Sequence, residues 1–196
     1  VSIMIKYVNQ GKVDTRSGFG VGLSELGRTN PNVVALWADL VGSLKMQEFI
    51  DENPDRFFQV GIAEANMMSM ASGMALSGLK PIIYTITPFT TTRCLEQIRI
   101  GVAYHDVPVI IVCTGSGLSY SELGPTHHSL DDIAILRTIP EINILAPADS
   151  IELKTFLNEA VNLATPTYIR IGKKGEPNIF NKSHKLGIGK SNIVVD

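Results

Sequence analysis

Six short apolar runs recur along the chain: Val33 to Ala38, Phe57 to Val60, Pro81 to Ile86, Val109 to Thr114, Ile142 to Ala146 and Thr167 to Ile171. Bounded by Gly, Pro and Asp, runs of this length read as strands. Between them lie segments with helical spacing at Leu44 to Glu52, Ala63 to Ser77, Thr91 to Tyr104, Asp131 to Arg137 and Ile151 to Ala164, with a first helix around Gly18 to Gly27. A run such as VIIVC is apolar on both faces of a strand, so both faces must be covered. Strands alternating with helices supply that cover in a largely parallel sheet. The sequence therefore predicts a doubly wound α/β domain on a six-stranded, mainly parallel sheet with helices on both faces. Asp149 and Glu152 have the spacing of a capping box, Ser129 and Asp132 form a weaker version, and Gly78 stands where the helix after Glu64 must end.

With 196 residues the chain fits one ordinary domain. Charged residues make up 18% and hydrophobic ones 44%, against about 25% charged in typical domains, which predicts a buried partner interface. A net charge of -2, a pI near 6.1 and no basic run leave no electrostatic footprint for nucleic acid or an anionic membrane. Cys94 and Cys113 lack ligand spacing and read as reduced core residues. No apolar run is long enough to span a bilayer, and VSIMIKYVNQ lacks the layout of a signal peptide, so a cytoplasmic location is the default. After Gly172 the periodicity is lost and the composition becomes that of a linker or trailing arm.

In an open α/β sheet, ligands bind beyond the carboxyl ends of the strands. Those positions carry Asp39 and Ser43 in ADLVGS, Glu64 in GIAE, Phe89 and Arg93 in TPFTTTR, and His127 and His128 in GSGLSYSELGPTHHS. Glu64 has two readings: an acid favoured by the dipole of the helix it opens, or a desolvated carboxyl that shares a proton with a ligand nitrogen. Asp39 is open to a similar choice, since a loop acid can simply cap a helix. Adjacent histidines diverge and cannot easily chelate one metal, so His127 and His128 are better placed to bond a polar substrate or move its protons. Met67, Met68, Met70 and Met74 read as helix packing. The GIGKS stretch and the glycines Gly18, Gly20 and Gly22 fail the spacing and strand context of phosphate loops.

Taken in order, ADLVGS, PDRFFQVGIAEANM, TPFTTTRCLEQIR, VPVIIVCTGSGLSY, GPTHHSLDDIAILR, INILAPAD and TPTYIRIGKKG resemble the pyrimidine-binding domain of transketolases from about Thr15 to Gly175. The chain looks most like the C-terminal subunit of split, two-subunit transketolases. It is similar more distantly to 1-deoxyxylulose-5-phosphate synthase and 2-oxo acid dehydrogenase β subunits. The resemblance implies thiamine diphosphate as cofactor, with Glu64 bonding N1′ of its aminopyrimidine and promoting the tautomer that takes the thiazolium C2 proton. By the same carry-over Phe89 stacks on the pyrimidine, Asp39 lies near the thiazolium side, and Arg93 joins them at the cofactor. His127 and His128 face the sugar, and Arg16, Ser43 and Arg170 grip the substrate phosphate, a geometry suited to anion recognition. Phe89 as plain core and Arg170 as a surface charge are the plainer alternatives.

Two positions depart from the pattern: Leu123 stands where the family usually has an aspartate, and a substrate-facing histidine is replaced near Gly115. The usual donor sugar is therefore in question. The family binds the diphosphate and its Mg2+ or Ca2+ through a Gly-Asp-Gly motif on a second domain, which this sequence lacks. The resemblance thus implies an N-terminal, diphosphate-binding partner subunit that holds the metal, self-association, and sugar phosphate substrates. It divides the chain into an arm (1–14), the pyrimidine-binding domain (15–175) and a linker (176–196) toward an absent C-terminal domain, as in a truncated or naturally incomplete subunit. The expected reaction is ketol transfer between ketose and aldose phosphates; the alternatives are the two related thiamine enzymes or a non-catalytic interaction module.

Overall fold

The computed structural model describes residues 13–39, 46–173, 175–181 and 184–192. Strands β1 (Val33–Trp37), β2 (Phe57–Gln59), β3 (Lys80–Ile86), β4 (Ile110–Thr114), β5 (Asn143–Leu145) and β6 (Thr167–Arg170) form one sheet in the order β2-β1-β3-β4-β6-β5. Every pairing is parallel.

Alternation along the strands explains the double cover. Val33, Ala35, Trp37, Ile82, Tyr84, Ile110 and Val112 belong to one core, with Phe19, Leu23 and Leu26 of α1 (Thr15–Thr29), Phe49 of α2 (Gln47–Glu52) and Leu153 and Leu157 of α6 (Ser150–Ala160). Val34, Leu36, Ile83, Val109, Ile111 and Cys113 point the other way, against Met67, Met68 and Ala71 of α3 (Glu64–Leu76) and Leu136 of α5 (Asp132–Leu136). Leu36, Ile83 and Ile111 have no exposed surface; each such burial contributes about 1.5–3 kcal/mol. On the first face Phe19, Tyr84 and Trp37 form a stack, with centroids 5.3 Å apart for Phe19–Tyr84 and 4.9 Å for Trp37–Tyr84.

After β2 the chain crosses back over β1 to lay down β3, so β1 and β3 form a topological switch point whose carboxyl ends open a crevice. The helices that flank it start and stop as their sequences direct. Asp14 caps α1 by accepting from Ser17 N at 2.7 Å, and Gly78, at φ +91°, ends α3 in a conformation only glycine adopts freely. Asp149 caps α6 by accepting from Ile151 N and Glu152 N at 3.0 and 2.8 Å, while Glu152 reaches back to Ala148 N at 2.7 Å.

Two local expectations fail. The helix expected over Thr91 to Tyr104 starts late and is mostly π-helical (Gln97–Ala103), after a separate helical turn α4 (Thr87–Thr90); the Gly101 carbonyl of the π-helical segment accepts a hydrogen bond from Ser72 Oγ on α3. Ser129 does not cap α5: the helix begins at Asp132 with Asp131 in the cap position, the Ser129 Oγ is buried without a hydrogen-bond partner, and Asp132 accepts from Tyr168 instead. The described residues of the tail lie against the domain: Ile179 N and Phe180 N donate to Asp149 at 2.7 and 2.8 Å, Ile188 N donates to Glu159 at 2.6 Å, and Phe180 is buried.

Candidate active site

Glu64 is the first residue of α3, immediately beyond the loop that leaves β2. No side chain caps this helix, so the acid fits the exposed amides of the first turn, yet it is only 4% exposed. Its partner comes from the next strand end: Arg93 Nη1 lies 2.9 Å from Glu64 Oε1. The same guanidinium lies over the Phe89 ring, 4.3 Å from its centroid, and remains half exposed. Pro88 at the start of α4 sets the turn that presents Phe89. Phe89 is half-buried and lines a cleft of about 460 Å³ with Pro88, Thr92, Arg93, Pro125 and Thr126. It is therefore not plain core.

The opposite wall is the loop after β4. Gly117 and Ser129 exchange backbone hydrogen bonds of 2.9 Å in both directions, which pins the two ends of the loop together. Within it the His127 ring meets the Phe89 ring edge-on at 5.1 Å and lies 6.0 Å from the Tyr120 ring. His127 Nδ1 shares a hydrogen bond with Thr126 Oγ1 at 2.9 Å, and His128 Nε2 lies 3.4 Å from the Ser121 carbonyl. Both imidazoles are half-buried, and only His127 stands beside Phe89. Gly115 has φ +87°, and a Cβ there would lie 2.3 Å from the Tyr120 ring. The space a side chain at position 115 would need is thus filled by Tyr120, over which Lys173 Nζ sits at 4.3 Å.

Arg170, at the end of β6, is not a free surface charge. Its Nε donates to Asp132 Oδ2 at 2.7 Å and its Nη2 to the Ser129 carbonyl at 3.2 Å. Asp132 Oδ2 also accepts from Tyr168 Oη at 2.7 Å; burial pushes that phenol's pKa well up, so it stays a donor. These holding residues gave no sign in the sequence because the SLDD stretch reads as a capping signal and its partners Tyr168 and Arg170 lie on a strand distant in sequence. Tyr120 gave no signal at all.

Asp39, just past β1, adopts φ +49° and is exposed, with its backbone N donating to Gln59 Oε1 at 2.8 Å. Arg16 opens α1 on the other face; its Nε is buried without a hydrogen-bond partner, and its charge acts on the Tyr84 hydroxyl, whose pKa burial raises. Ser43 lies outside the described residues. Near Glu64, burial and then the carboxylate push the Cys94 thiol up to about 11. Among the described residues no group of His, Cys, Asp and Glu is arranged to hold a metal, and no helix is long and apolar enough to cross a membrane.

In sequence and fold the chain is similar to known proteins. Over 182 residues the chain is 35% identical to an apulose-4-phosphate transketolase subunit of Phocaeicola vulgatus, covering 92% of this chain and 58% of that one. It is 37% identical over 196 residues to a 1-deoxy-D-xylulose-5-phosphate synthase of Dictyoglomus thermophilum, covering 98% of this chain and 31% of the relative. A solved structure described as a split gene transketolase, inactive beta4 tetramer, superposes with a TM-score of 0.85 at 33% identity, over 95% of this chain and 60% of that one. The chain thus spans little more than half of the split relatives. The family model for the transketolase pyrimidine binding domain matches residues 11–176. With Glu64, Phe89 and His127 gathered at the rim of a parallel sheet and most of its length matching that model, the chain belongs to the transketolase pyrimidine-binding domain family.

Proposed function

We propose that this chain supplies the pyrimidine-binding part of a two-subunit, thiamine diphosphate-dependent transketolase that moves a two-carbon ketol unit between ketose and aldose phosphates. The observation that carries this reading is the buried Glu64 carboxyl and the half-buried Phe89 ring at the rim of the sheet, bridged by the Arg93 guanidinium. An aminopyrimidine needs a dry acid at its ring nitrogen and an aromatic surface beneath it, and these residues fit both needs. When bound, the cofactor supplies the electron sink for the transferred unit. Glu64 holds and shares the proton at the pyrimidine nitrogen, Phe89 fixes the ring plane, and Asp39 lies toward the rest of the cofactor. His127 moves protons at the hydroxyls of the sugar, with His128 behind it, while Arg170, held by Asp132 and the Ser129 carbonyl, joins Arg16 and Ser43 at the substrate phosphate.

The diphosphate and its Mg2+ or Ca2+ belong to a partner chain bearing Gly-Asp-Gly, a motif absent here. Residues 15–175 form the pyrimidine-binding domain, with an arm before it and a connection toward a further domain after it. Self-association is part of the same proposal, supported by exposed Leu76, Ile100 and Tyr104 on the α3 face. A cytoplasmic setting suits the two free, buried cysteines. The test is co-expression with such a partner and ketol-transfer assays across several donors with thiamine diphosphate and Mg2+. Glu64→Gln is expected to cut kcat by about 10²–10⁴-fold; full activity in that variant, or no turnover with any donor, would overturn the proposal. The match to a deoxyxylulose phosphate synthase over nearly the whole chain supports a second reading, distinguished by supplying pyruvate with glyceraldehyde 3-phosphate in the same assay.

A further inference from the structure

Arg93 makes two contacts at once: its edge meets the buried Glu64 oxygen at 2.9 Å, and its plane lies over Phe89 at 4.3 Å. These are the two contacts that an aminopyrimidine would need, an edge nitrogen toward a carboxyl and a flat face on an aromatic ring. A guanidinium is suited to imitate it, being planar, delocalised, and rich in N–H donors along its edge. The carboxylate oxygen and the ring face cannot serve both groups together. The geometry points to Arg93 as a placeholder that occupies the pyrimidine position of the unloaded chain and swings aside when the cofactor enters. This inference rests on the functional reading above.

The asymmetry of exposure says which partner moves. The Glu64 side chain is 5% exposed and fixed to the first turn of α3, whereas that of Arg93 is 48% exposed and sits on a flexible stem beside open cleft. A buried carboxylate without a partner is costly, so the site needs a cation or donor there before the cofactor arrives. Arg93 fills that need while keeping a short path to water, where its charge is readily solvated. Its stacking and ion-pair contacts are both of the modest strength expected near a surface, which makes them displaceable. The cost of the arrangement falls on cofactor affinity, because entry must break both contacts first.

The test uses the complex with the partner subunit and titration calorimetry of thiamine diphosphate in the presence of Mg2+. In Arg93→Gln an amide can still donate to Glu64 but holds the position less firmly, and its Kd for thiamine diphosphate is expected to fall about tenfold. Arg93→Lys keeps the charge without the planar face and should lie between the two. Circular dichroism checks that each variant is folded. In the wild-type complex, the side-chain ¹⁵N–¹H signal of Arg93 should move to the position of a solvated arginine as cofactor is added. An unchanged or weakened affinity in Arg93→Gln, or an Arg93 signal that stays in place at saturation, would overturn the placeholder and leave the functional reading standing. A wild-type complex that binds no thiamine diphosphate would remove both.

Discussion

Cys94 shares the neighbourhood of the Glu64–Arg93 pair, with its Sγ 3.3 Å from the Phe89 carbonyl oxygen. Because burial and the nearby carboxylate raise its pKa to about 11, almost none of it is thiolate at neutral pH. Cys113 is fully buried, with its pKa raised by the same desolvation. Iodoacetamide at pH 7.5 should label the folded chain on the order of 100-fold more slowly than free cysteine, and both thiols should react once the chain unfolds. Mass spectrometry of timed samples measures this, and labelling of the folded chain at the free rate would contradict it. At this scale the sequence marked the position of Glu64 but not its setting. The pairing with Arg93 depends on two loops, after β2 and after β3, converging on one rim, and no local spacing encodes that. Asp132 shows the opposite failure: its local context offered a helix-capping role, but a buried phenol and a guanidinium bound it more strongly.

Helix α6 depends on one carboxylate. Asp149 has no exposed surface; its Oδ1 caps the helix through two N–H groups and its Oδ2 holds the tail through those of Ile179 and Phe180. Asp149→Ala removes the cap and strands buried donors, and should cost about 3 kcal/mol in urea unfolding. Hydrogen exchange should increase at residues 178–180 as well as at the start of α6. Protection retained at the tail would show that Asp149 does not anchor it. The cap was legible because Asp149 and Glu152 carry a local signal, and the strands were legible because each had to be apolar on both faces. The π-helical segment was not, since the residues with helical spacing there carry no local signal for a wider turn, and its Gly101 carbonyl is engaged by Ser72 of a neighbouring helix. The tail, too, gave no hint of its tethers, whose partners lie on α6.

For the molecule as a whole, the rim offers an acid, an aromatic face and histidines, but no described cluster for a metal. If the site is divided between two chains as proposed, this chain alone should bind thiamine diphosphate weakly, with Kd above about 1 mM, where only about 4 kcal/mol of binding energy is available. Tight binding by calorimetry without a partner subunit would contradict the divided site. The fold class followed from alternating runs, but the order of the strands did not, because parallel neighbours are chosen by crossovers and long-range packing. That order has a consequence during synthesis on the ribosome. β6 is made last yet inserts between β4 and β5, so the backbone edge of β4 waits unpaired until residue 170 has emerged. At ordinary translation speeds that interval lasts on the order of seconds, and throughout it the nascent chain presents an open, strongly apolar sheet edge for chaperones to shield.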